Sequence, residues 1–343
     1  RAGAIVNPLP TRRRSRDLGR AHARRSCART GGLGRVTRGP DLRFLRMPGE
    51  ALIREVWAEN VDEEMATICE VVERYPYIAM DTEFPGTVAR PVGTFRPRSS
   101  EEKYQSIRCN VDLLNIIQLG VTFCDEDGNL APGCSTWQFN FTFSLQTDLY
   151  AQDSIELLTQ AGIDFNKHEA YGIDPLYFAE LLMVSGVVLC DDVRWISFHS
   201  GYDFGYLLKV LTCKPLPETE GEFLAALQVY FPCIYDIKCI ANSTVGDHLK
   251  GGLNKIAEQL KVQRIGPEHQ AGSDSLLTQA VFFELKRAYF NNHLDDDQYL
   301  NKLWGLDRSG PDRPGGPYGS PALQGQASGS LGMRMGGMQH PEY

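Results

Sequence analysis

The chain has 343 residues, 42% of them hydrophobic and 10% aromatic, enough for a sizeable core in one large domain or two ordinary ones. No apolar run reaches the roughly 20 residues of a membrane-spanning helix, so we expect no membrane contact. The nine cysteines show no Cys-x-x-Cys pair and no zinc-ligand spacing, which predicts free thiols in a reduced, intracellular compartment.

The formal charge is distributed unevenly. Residues 1–46 contain thirteen Arg, no Lys and two acids, a net of +11; because the whole chain carries -8, residues 47–343 carry -19. A body this acidic does not hold nucleic acid by broad phosphate attraction, so such an activity would depend on metal ions, a local groove or a partner. An Arg-rich segment is typical of a transit peptide or a basic nucleic-acid arm. Because the pattern of a folded domain begins just beyond Met47, we interpret residues 1–46 as a disordered or non-native extension.

The first strong signal beyond this segment is an apolar run of strand length, residues 77–80, followed by Asp81 and Glu83. An amphipathic helix over residues 53–75, with Asn60 as a candidate N-cap, is predicted to lead into it. Since side chains alternate along a strand, Asp81 and Glu83 share a face and lie within about 7 Å of each other. Such a pair repels itself unless it shares a proton or binds a cation. Alone, the pattern is more typical of a solvated strand end.

The rest of the chain predicts alternating strands and helices. A polar loop over residues 85–106 precedes two strands, 115–124 and 135–143, and the acidic turn at 125–129 between them favours antiparallel pairing. The later predicted elements are helices 154–160 and 175–184, strand 193–198, helix 202–211, strand 233–237, and helices 253–260 and 273–290. This order predicts an α/β fold, a mixed sheet with helices on both faces. The Gly-, Pro- and Met-rich segment 309–343 is predicted to be disordered.

Two further acids lie where helices are predicted to begin. Asp203 falls in the first turn of the helix after the fourth strand, and Asp274 in the first turn of the last helix. Each also has a simpler interpretation, because helix N-termini favour negative charge and Ser273 is a plausible N-cap. His269 precedes Asp274 in a loop that Gly272 separates from the helix, and we expect this loop to fold over the Asp274 side of a site. Only the complete set of acids and histidine indicates a function.

Together, the four acids and His269 resemble the motifs of a known enzyme family. Asp81-Thr82-Glu83, Asp203, and His269 followed by Asp274 resemble the three exonuclease motifs of the DEDD family, in its histidine subtype. The amino-acid sequence around these motifs is similar to that of the CAF/POP-type poly(A) ribonucleases, which are catalytic subunits of the CCR–NOT messenger-RNA deadenylase complex. The segments that carry this similarity are residues 79–86, 135–141 and 269–277. The resemblance extends over about residues 53–306.

Fold and site roles follow from the resemblance as expectations. It implies an RNase H-like exonuclease domain over residues 47–308, with predicted strands 2 and 3 antiparallel and strands 1, 4 and 5 parallel. It implies two divalent cations, Mg²⁺ or Mn²⁺. Asp81 would bridge both, Glu83 and Asp274 would complete the first site, and Asp203 would hold the second, partly through water. His269 would be the general base.

The resemblance also implies a reaction and partners. The expected reaction is 3′-to-5′ hydrolysis of mRNA poly(A) tails with release of 5′-AMP. The expected partners are poly(A) RNA, the scaffold subunit of the CCR–NOT complex, a second nuclease and antiproliferative adaptor proteins, in cytoplasm and nucleus. The residue types agree independently, because carboxylate oxygens suit Mg²⁺ or Mn²⁺ better than zinc and an imidazole can accept a proton from water near neutral pH.

Two alternatives stay open. Motif chemistry alone also fits a DEDD exonuclease that acts on other RNA or DNA 3′ ends. A catalytically silent scaffold subunit would keep the fold and lose at least one of the acids, whereas all four are present here.

Overall fold

The computed structural model describes residues 53–90, 99–243 and 249–306. The segments predicted as an extension, 1–46, and as disordered, 309–343, lie outside the described residues, as does the middle of the predicted 85–106 loop. The eight cysteines that the structure describes are not in disulfides, as expected. None of its described helices combines the length and apolar character needed to cross a bilayer.

Within the described residues, six strands form one mixed sheet in the order β1-β4-β3-β2-β5-β6. They are β1 (Ile53–Val56), β2 (Tyr77–Glu83), β3 (Gln118–Cys124), β4 (Thr136–Asn140), β5 (Arg194–Ser197) and β6 (Ile234–Asp236). Strand β3 is antiparallel to both β2 and β4, and the pairs β1–β4, β2–β5 and β5–β6 are parallel. The mixed sheet, the antiparallel pairing of predicted strands 2 and 3, and the parallel strands 1, 4 and 5 are thereby confirmed.

Helices cover both faces of this sheet. Those in the described residues are α1 (Val61–Val72), α2 (Ser100–Leu113), α3 (Gln152–Gln160), α4 (Phe165–Tyr171), α5 (Pro175–Val184), α6 (Gly201–Thr212), α7 (Glu220–Tyr230), α8 (Ile237–Ser243), α9 (Leu253–Leu260), α10 (Ala271–Phe290) and α11 (Asp296–Tyr299). Met80 packs in a buried cluster with residues of α2, α5 and α6, whereas its neighbour Ala79 packs with residues of α9 and α10. Because consecutive strand residues point to opposite faces, the two helix groups lie on opposite sides of β2.

One prediction next to the first predicted strand is wrong. Residues 53–56 are not helical but form β1, paired in register from Ile53 opposite Thr136. The partner strand is about 80 residues away in the sequence, so no local pattern indicates the pairing. The apolar run 77–80 is followed by the acids within the same strand: Asp81 lies opposite Gly120 and Glu83, the last residue of β2, lies opposite Gln118 in the β2–β3 ladder. Backbone pairing with β3 continues regardless of side-chain polarity.

Helix α2 begins at Ser100, inside the predicted polar loop 85–106, so the loop prediction is wrong there. The sequence of α2 does contain helix signals. Ser99 and Glu102 form a reciprocal capping box, and the buried residues Tyr104, Ile107 and Val111 follow a helical spacing. The frequent polar residues between them hide the periodicity. Helices α4, α7, α8 and α11 were likewise not predicted.

Candidate active site

Strand β2 presents two carboxylates on one face at its carboxyl end. Asp81 and Glu83 each offer an oxygen, and Asp274 of α10 offers a third, such that the three atoms lie within 4.8 Å of one another. The predicted side-by-side arrangement of Asp81 and Glu83 is confirmed, and Asp274 joins them across about 190 residues of sequence. We call these three residues the carboxylate cluster.

Helix α10 reaches the cluster because it approaches β3 very closely. A Cβ atom placed on Gly120 would lie 1.9 Å from the carbonyl oxygen of Ala271, so only glycine permits this contact. The side-chain oxygen of Gln118 accepts a hydrogen bond from the Ala271 N–H (3.2 Å), and that of Gln138 accepts one from the Gly272 N–H (2.9 Å). Two glutamines of the sheet thus satisfy N–H groups in the first turn of α10.

The prediction of Ser273 as the N-cap of α10 is wrong. The helix begins at Ala271, and Gln270 occupies the cap position without a side-chain cap bond. Ser273 lies inside the first turn, where its hydroxyl donates to the carbonyl oxygen of Ile265 (2.9 Å). Ser273 therefore connects the helix to the preceding loop. Sequence reasoning gave it a capping role because Ser is common at that position.

Asp203 approaches from the other face of β2. It lies in the first turn of α6, is 8% exposed, and its Oδ1 accepts hydrogen bonds from the Thr82 N–H (3.0 Å) and the Thr82 hydroxyl (2.6 Å). Thr82 stands between the two acids of β2 and points away from them. The structure therefore brings three predicted acids together and places the fourth beside them, anchored to the intervening threonine.

His269 lies in the segment between α9 and α10, one residue before the cap position of α10. It is half-buried and adopts a left-handed backbone conformation with φ of 59°. A non-glycine residue in this conformation is held there by its surroundings. His269 therefore lies outside the helix that carries Asp274, as expected, but Gly272 does not separate the two, because it is the second residue of α10.

Arg264 is a site residue that sequence reasoning missed. Its Nη2 donates to Asp274 Oδ1 (2.6 Å), its Nη1 to the Ser273 hydroxyl (3.1 Å), and its Nε to the side-chain oxygen of Asn254 on α9 (3.1 Å). One guanidinium thus joins α9, the loop that carries His269 and the first turn of α10. Nothing in the sequence distinguishes Arg264 from a surface arginine, because its partners lie about ten residues away on both sides.

The carboxylates are buried together, and this shifts their proton affinities. Burial raises the pKa of Asp81 well above its usual range, and the negative charges of Asp203, Asp274 and Glu83 raise it further. Burial and the charges of Asp274 and Asp203 raise the pKa of Glu83 to about 8. Burial also raises the pKa of Asp203 to about 6, although the hydrogen bonds from Thr82 oppose the shift. Acids held in this way take up protons or cations, and an all-oxygen ligand set fits Mg²⁺ or Mn²⁺.

Comparison with known proteins agrees with this geometry. The model of the CAF1 family ribonucleases matches residues 56–180 and 186–282. The chain is 54% identical over 258 residues to "Poly(A) ribonuclease pop2" of Schizosaccharomyces pombe, covering 75% of this chain and 76% of that protein. It is also 54% identical over 261 residues to "Probable CCR4-associated factor 1 homolog 7" of Arabidopsis thaliana, covering 74% of this chain and 93% of that protein.

Solved structures show the same fold. The structure of S. pombe Pop2p in its Mg²⁺- and Mn²⁺-bound form matches with a TM-score of 0.71 at 54% identity, covering 75% of this chain and all of that one. Yeast CAF1, co-crystallised with the NOT1 MIF4G domain, matches with a TM-score of 0.65 at 33% identity, covering 76% of this chain and all of that one. With the family match spanning most of the sheet and the carboxylate cluster in place, the chain belongs to the CAF1 family of ribonucleases.

Proposed function

We propose that this chain is a metal-dependent 3′-to-5′ exoribonuclease that shortens mRNA poly(A) tails and releases 5′-AMP. The observation that carries the proposal is the carboxylate cluster, with three carboxylate oxygens within 4.8 Å of one another. Burial, and then the charges of the neighbouring carboxylates, raises the pKa values of Asp81 and Glu83 when no cation is bound. A site made of buried, closely spaced carboxylates is suited to bind divalent cations and not to bind a neutral ligand.

The proposed centre would hold two cations that share Asp81 as a ligand. Asp81, Glu83 and Asp274 would hold the first cation, and Asp81 with Asp203 the second. Two divalent cations, when bound, stabilise the attacking and leaving oxygens of an in-line phosphodiester displacement. Thr82 fixes the Asp203 carboxylate through two hydrogen bonds, so this ligand is oriented before any cation arrives.

His269 is proposed to accept the proton of the attacking water. Its support is its place in the chain, since it immediately precedes the helix whose first turn carries Asp274, and Arg264 ties that same segment to Asp274. A positioned base of this kind contributes about 10²–10⁴ in rate. Removing the imidazole should therefore lower turnover without preventing RNA from binding.

Assembly into a CCR–NOT-type complex is part of the proposal. Its support is the yeast relative, which was co-crystallised with the NOT1 MIF4G domain. The choice of poly(A) as substrate is supported by the S. pombe relative, which is a poly(A) ribonuclease. A second nuclease, antiproliferative adaptors, and action in both cytoplasm and nucleus are proposed from the family resemblance.

The test is digestion of 5′-labelled RNA that ends either in twenty adenosines or in mixed sequence, with purified protein and Mg²⁺ or Mn²⁺. We expect a ladder that shortens by single nucleotides from the 3′ end, faster on the adenosine tail, and 5′-AMP as the product. Asp81→Asn should abolish the ladder, and His269→Ala should slow it by about 100-fold. Equal rates on both tails would indicate an exonuclease of broader substrate range. Full activity in EDTA, or full activity of Asp81→Asn, would contradict the proposed metal-dependent mechanism. No activity under any condition would favour a catalytically silent scaffold.

A further inference from the structure

A row of buried amide side chains lies beside the acids of β2 and has no role in the proposed reaction. Gln118 lies directly opposite Glu83 in the β2–β3 ladder, and Asn140 lies opposite Gln118 in the β3–β4 ladder. Residues that are opposite one another in a ladder point to the same face of the sheet, so these amides share the face of Asp81 and Glu83. We give the name amide cluster to four side chains: Gln118, Gln138, Asn140 and Gln270.

The amide cluster is one connected chain of hydrogen bonds. The side-chain oxygen of Gln270 accepts from the side-chain nitrogens of Gln138 (3.0 Å) and Gln118 (3.4 Å). The side-chain nitrogen of Gln270 donates to the carbonyl oxygen of Ala161 (3.0 Å), the residue that directly follows α3. The Gln118 amide also donates to the side-chain oxygen of Asn140 (2.9 Å). The three members on the sheet are at most 4% exposed, so a lost bond would leave a buried polar group without a partner.

Backbone partners fix the orientation of each amide. The oxygens of Gln118 and Gln138 accept from N–H groups in the first turn of α10, so their nitrogens are the atoms left to contact Gln270. The nitrogen of Asn140 donates to the carbonyl oxygen of Val56, and that of Gln270 to the carbonyl oxygen that follows α3. Turning any one of these amides over would place two donors or two acceptors against each other. The chain of bonds therefore has one arrangement, and the Gln270 amide is held at both of its ends.

His269 depends on its neighbours for its position. Its imidazole makes no hydrogen bond, ion pair or ring contact with the residues that the structure describes. Its backbone has φ of 59°, a conformation that a non-glycine residue keeps only when its surroundings hold it. The four residues before it, 265–268, are exposed. The side chain of Gln270, the next residue, therefore ties the backbone of His269 to the sheet.

The Ala161 end of this tether is connected to the strand that carries two of the acids. The residue before α3, Ala151, donates its N–H to the carbonyl oxygen of Pro85 (2.9 Å), two residues after Glu83. Helix α3 also packs in a buried cluster with Ile117, the residue before β3. Helix α3 therefore extends from the segment after the acids to Gln270. The tether holds Gln270 to the acid-bearing part of the fold by two routes, through β3 and β4 and through α3.

We propose that Gln270 is a positioning residue for the reaction, whose amide holds the backbone of His269 in a fixed place relative to β2. This inference rests on the proposed function, in which His269 is the base. A displacement of about 1 Å can cost about 10² in rate, because proton transfer needs hydrogen-bond geometry. Gln270 acts only through His269 and makes no contact with the reacting atoms.

The test compares Gln270→Met with a matched control, Gln279→Met. Methionine has about the length of glutamine without its polar groups, so each variant removes the hydrogen bonds of one amide and changes little volume. Gln279 lies on the same helix, about 13 Å along the axis from position 270. It is 5% exposed and donates to the carbonyl oxygen of Gly128 (2.9 Å). A second variant, Gln270→Asn, keeps the amide but is one methylene shorter, so it cannot contact β4 and Ala161 together.

The first measurement is kcat and KM on RNA with a 3′ adenosine tail. We expect Gln270→Met to lower kcat by about tenfold with KM within about twofold of the wild type, and Gln270→Asn to have an intermediate kcat. Gln279→Met should keep the wild-type kcat although it also loses a buried hydrogen bond. In a His269→Ala background, Gln270→Met should change kcat by less than about twofold, because effects that pass through one group do not add.

The second measurement does not depend on activity. In EDTA, the imidazole signal of His269 is followed by nuclear magnetic resonance of protein that contains ¹⁵N-labelled histidine, and it is assigned by its loss in His269→Ala. We expect this signal in Gln270→Met to sharpen and to move toward the chemical shifts of histidine in an unfolded chain, because the segment loses its tether. Gln279→Met should leave the signal at its wild-type position.

A wild-type kcat in Gln270→Met would overturn the proposal. It would also be overturned by a loss that is as large in His269→Ala as in the wild type, by a rise in KM alone, or by an unmoved His269 signal. Failure of the proposed function gives different results. If the wild type does not cleave RNA, or if His269→Ala keeps full turnover, the nuclease or the base assignment fails, and the magnetic resonance comparison still decides whether Gln270 holds His269.

Discussion

At the scale of single residues, the site is a set of like charges held together by the surrounding structure. Asp81, Glu83 and Asp274 offer oxygens within 4.8 Å of one another, and Arg264 places a positive charge on one of them at 2.6 Å. The arginine offsets part of the repulsion but also holds the segment that carries His269. The metal-free protein therefore keeps the carboxylate cluster assembled, but one arginine does not neutralise the negative charge of its three carboxylates.

The shifted carboxyl groups predict how stability depends on pH. In the folded, metal-free protein the pKa of Glu83 is raised from 4.5 to about 8, so the folded state holds a proton that the unfolded chain releases. This contribution is complete below the unfolded value and is lost as pH rises through the folded value. We expect the thermal midpoint in EDTA to fall between about pH 5 and pH 8 more steeply in the wild type than in Glu83→Gln.

Added Mg²⁺ should reduce this dependence, because a bound cation replaces the protons. The exposed Glu258 provides a control, and Glu258→Gln should show the wild-type slope. Comparing variants isolates the contribution of Glu83 from that of the other titrating groups. Identical slopes for the wild type and Glu83→Gln would show that burial and the neighbouring carboxylates do not raise the pKa of Glu83.

Arg264 should prove to be a positioning residue. Replacement by lysine keeps the charge but loses the three-way contact with Asn254, Ser273 and Asp274. We expect Arg264→Lys to lower kcat by about tenfold with little change in KM, and to speed hydrogen exchange of the amides in residues 261–270. Unchanged exchange in that segment would limit Arg264 to an electrostatic role.

The candidate ligands were predictable from the sequence because each stands at the end of an element that local patterns reveal. Asp81 and Glu83 follow an apolar strand, and Asp203 and Asp274 begin helices. Thr82 and Arg264 were not predictable as partners, since their contacts with Asp203 and Asp274 form only when distant segments fold together.

At the scale of elements, the approach of α10 to the sheet decides whether the site exists. Gly120 on β3 faces the start of the helix, with the Ala271 carbonyl oxygen 1.9 Å from the position of a Cβ atom. The glutamines of β3 and β4 then hold the first N–H groups of the helix. Asp274, three residues further along, is placed by this docking.

Gly120→Ala should therefore lower both stability and activity. The clash is with backbone, which cannot move aside as a flexible side chain can, so we expect a loss of about 2 kcal/mol or more in the free energy of unfolding, measured by urea denaturation. Gly221→Ala is the matched control. A Cβ atom there meets nothing within 4 Å, and alanine is favoured in a helix such as α7. A stable, active Gly120→Ala would contradict the role given to this contact.

Local sequence patterns predicted some helices and strands more accurately than others. Helices α5 and α9 were predicted to the residue, and for α5 this is because Pro175 at its first position and Asp174 as its cap mark the start clearly. Strand β1 was taken for helix because four residues carry too little periodicity. Its identity depends on pairing with β4, which follows it by about 80 residues.

At the scale of the whole molecule, charge limits how the protein meets RNA. Residues 47–343 carry a net -19. Long-range repulsion of phosphates by such a body leaves only local contacts to hold the strand. Binding should then involve few phosphates.

The salt dependence of binding tests this. For a protein of residues 47–343 we expect a slope that corresponds to only a few contacts, at about 0.7 per phosphate of single-stranded poly(A). Residues 1–46, with their net +11, should steepen the slope. A gain that is equal on DNA and on RNA of any sequence would indicate general attraction by the arginines. A steep slope without residues 1–46 would reveal a basic groove that the composition hides.

The most direct test of the account is a titration with Mn²⁺, followed by the loss of its free electron paramagnetic resonance signal, on the full chain and on Asp81→Asn. Asp81 is the proposed ligand of both cations, so one substitution should affect both positions. We predict saturable binding of two Mn²⁺ per chain in the wild type and a loss of affinity by at least about 100-fold in the variant, whose circular dichroism spectrum should be unchanged. Binding of two Mn²⁺ by Asp81→Asn with wild-type affinity, or no saturable binding by the wild type, would contradict the claim that these carboxylates form the metal centre.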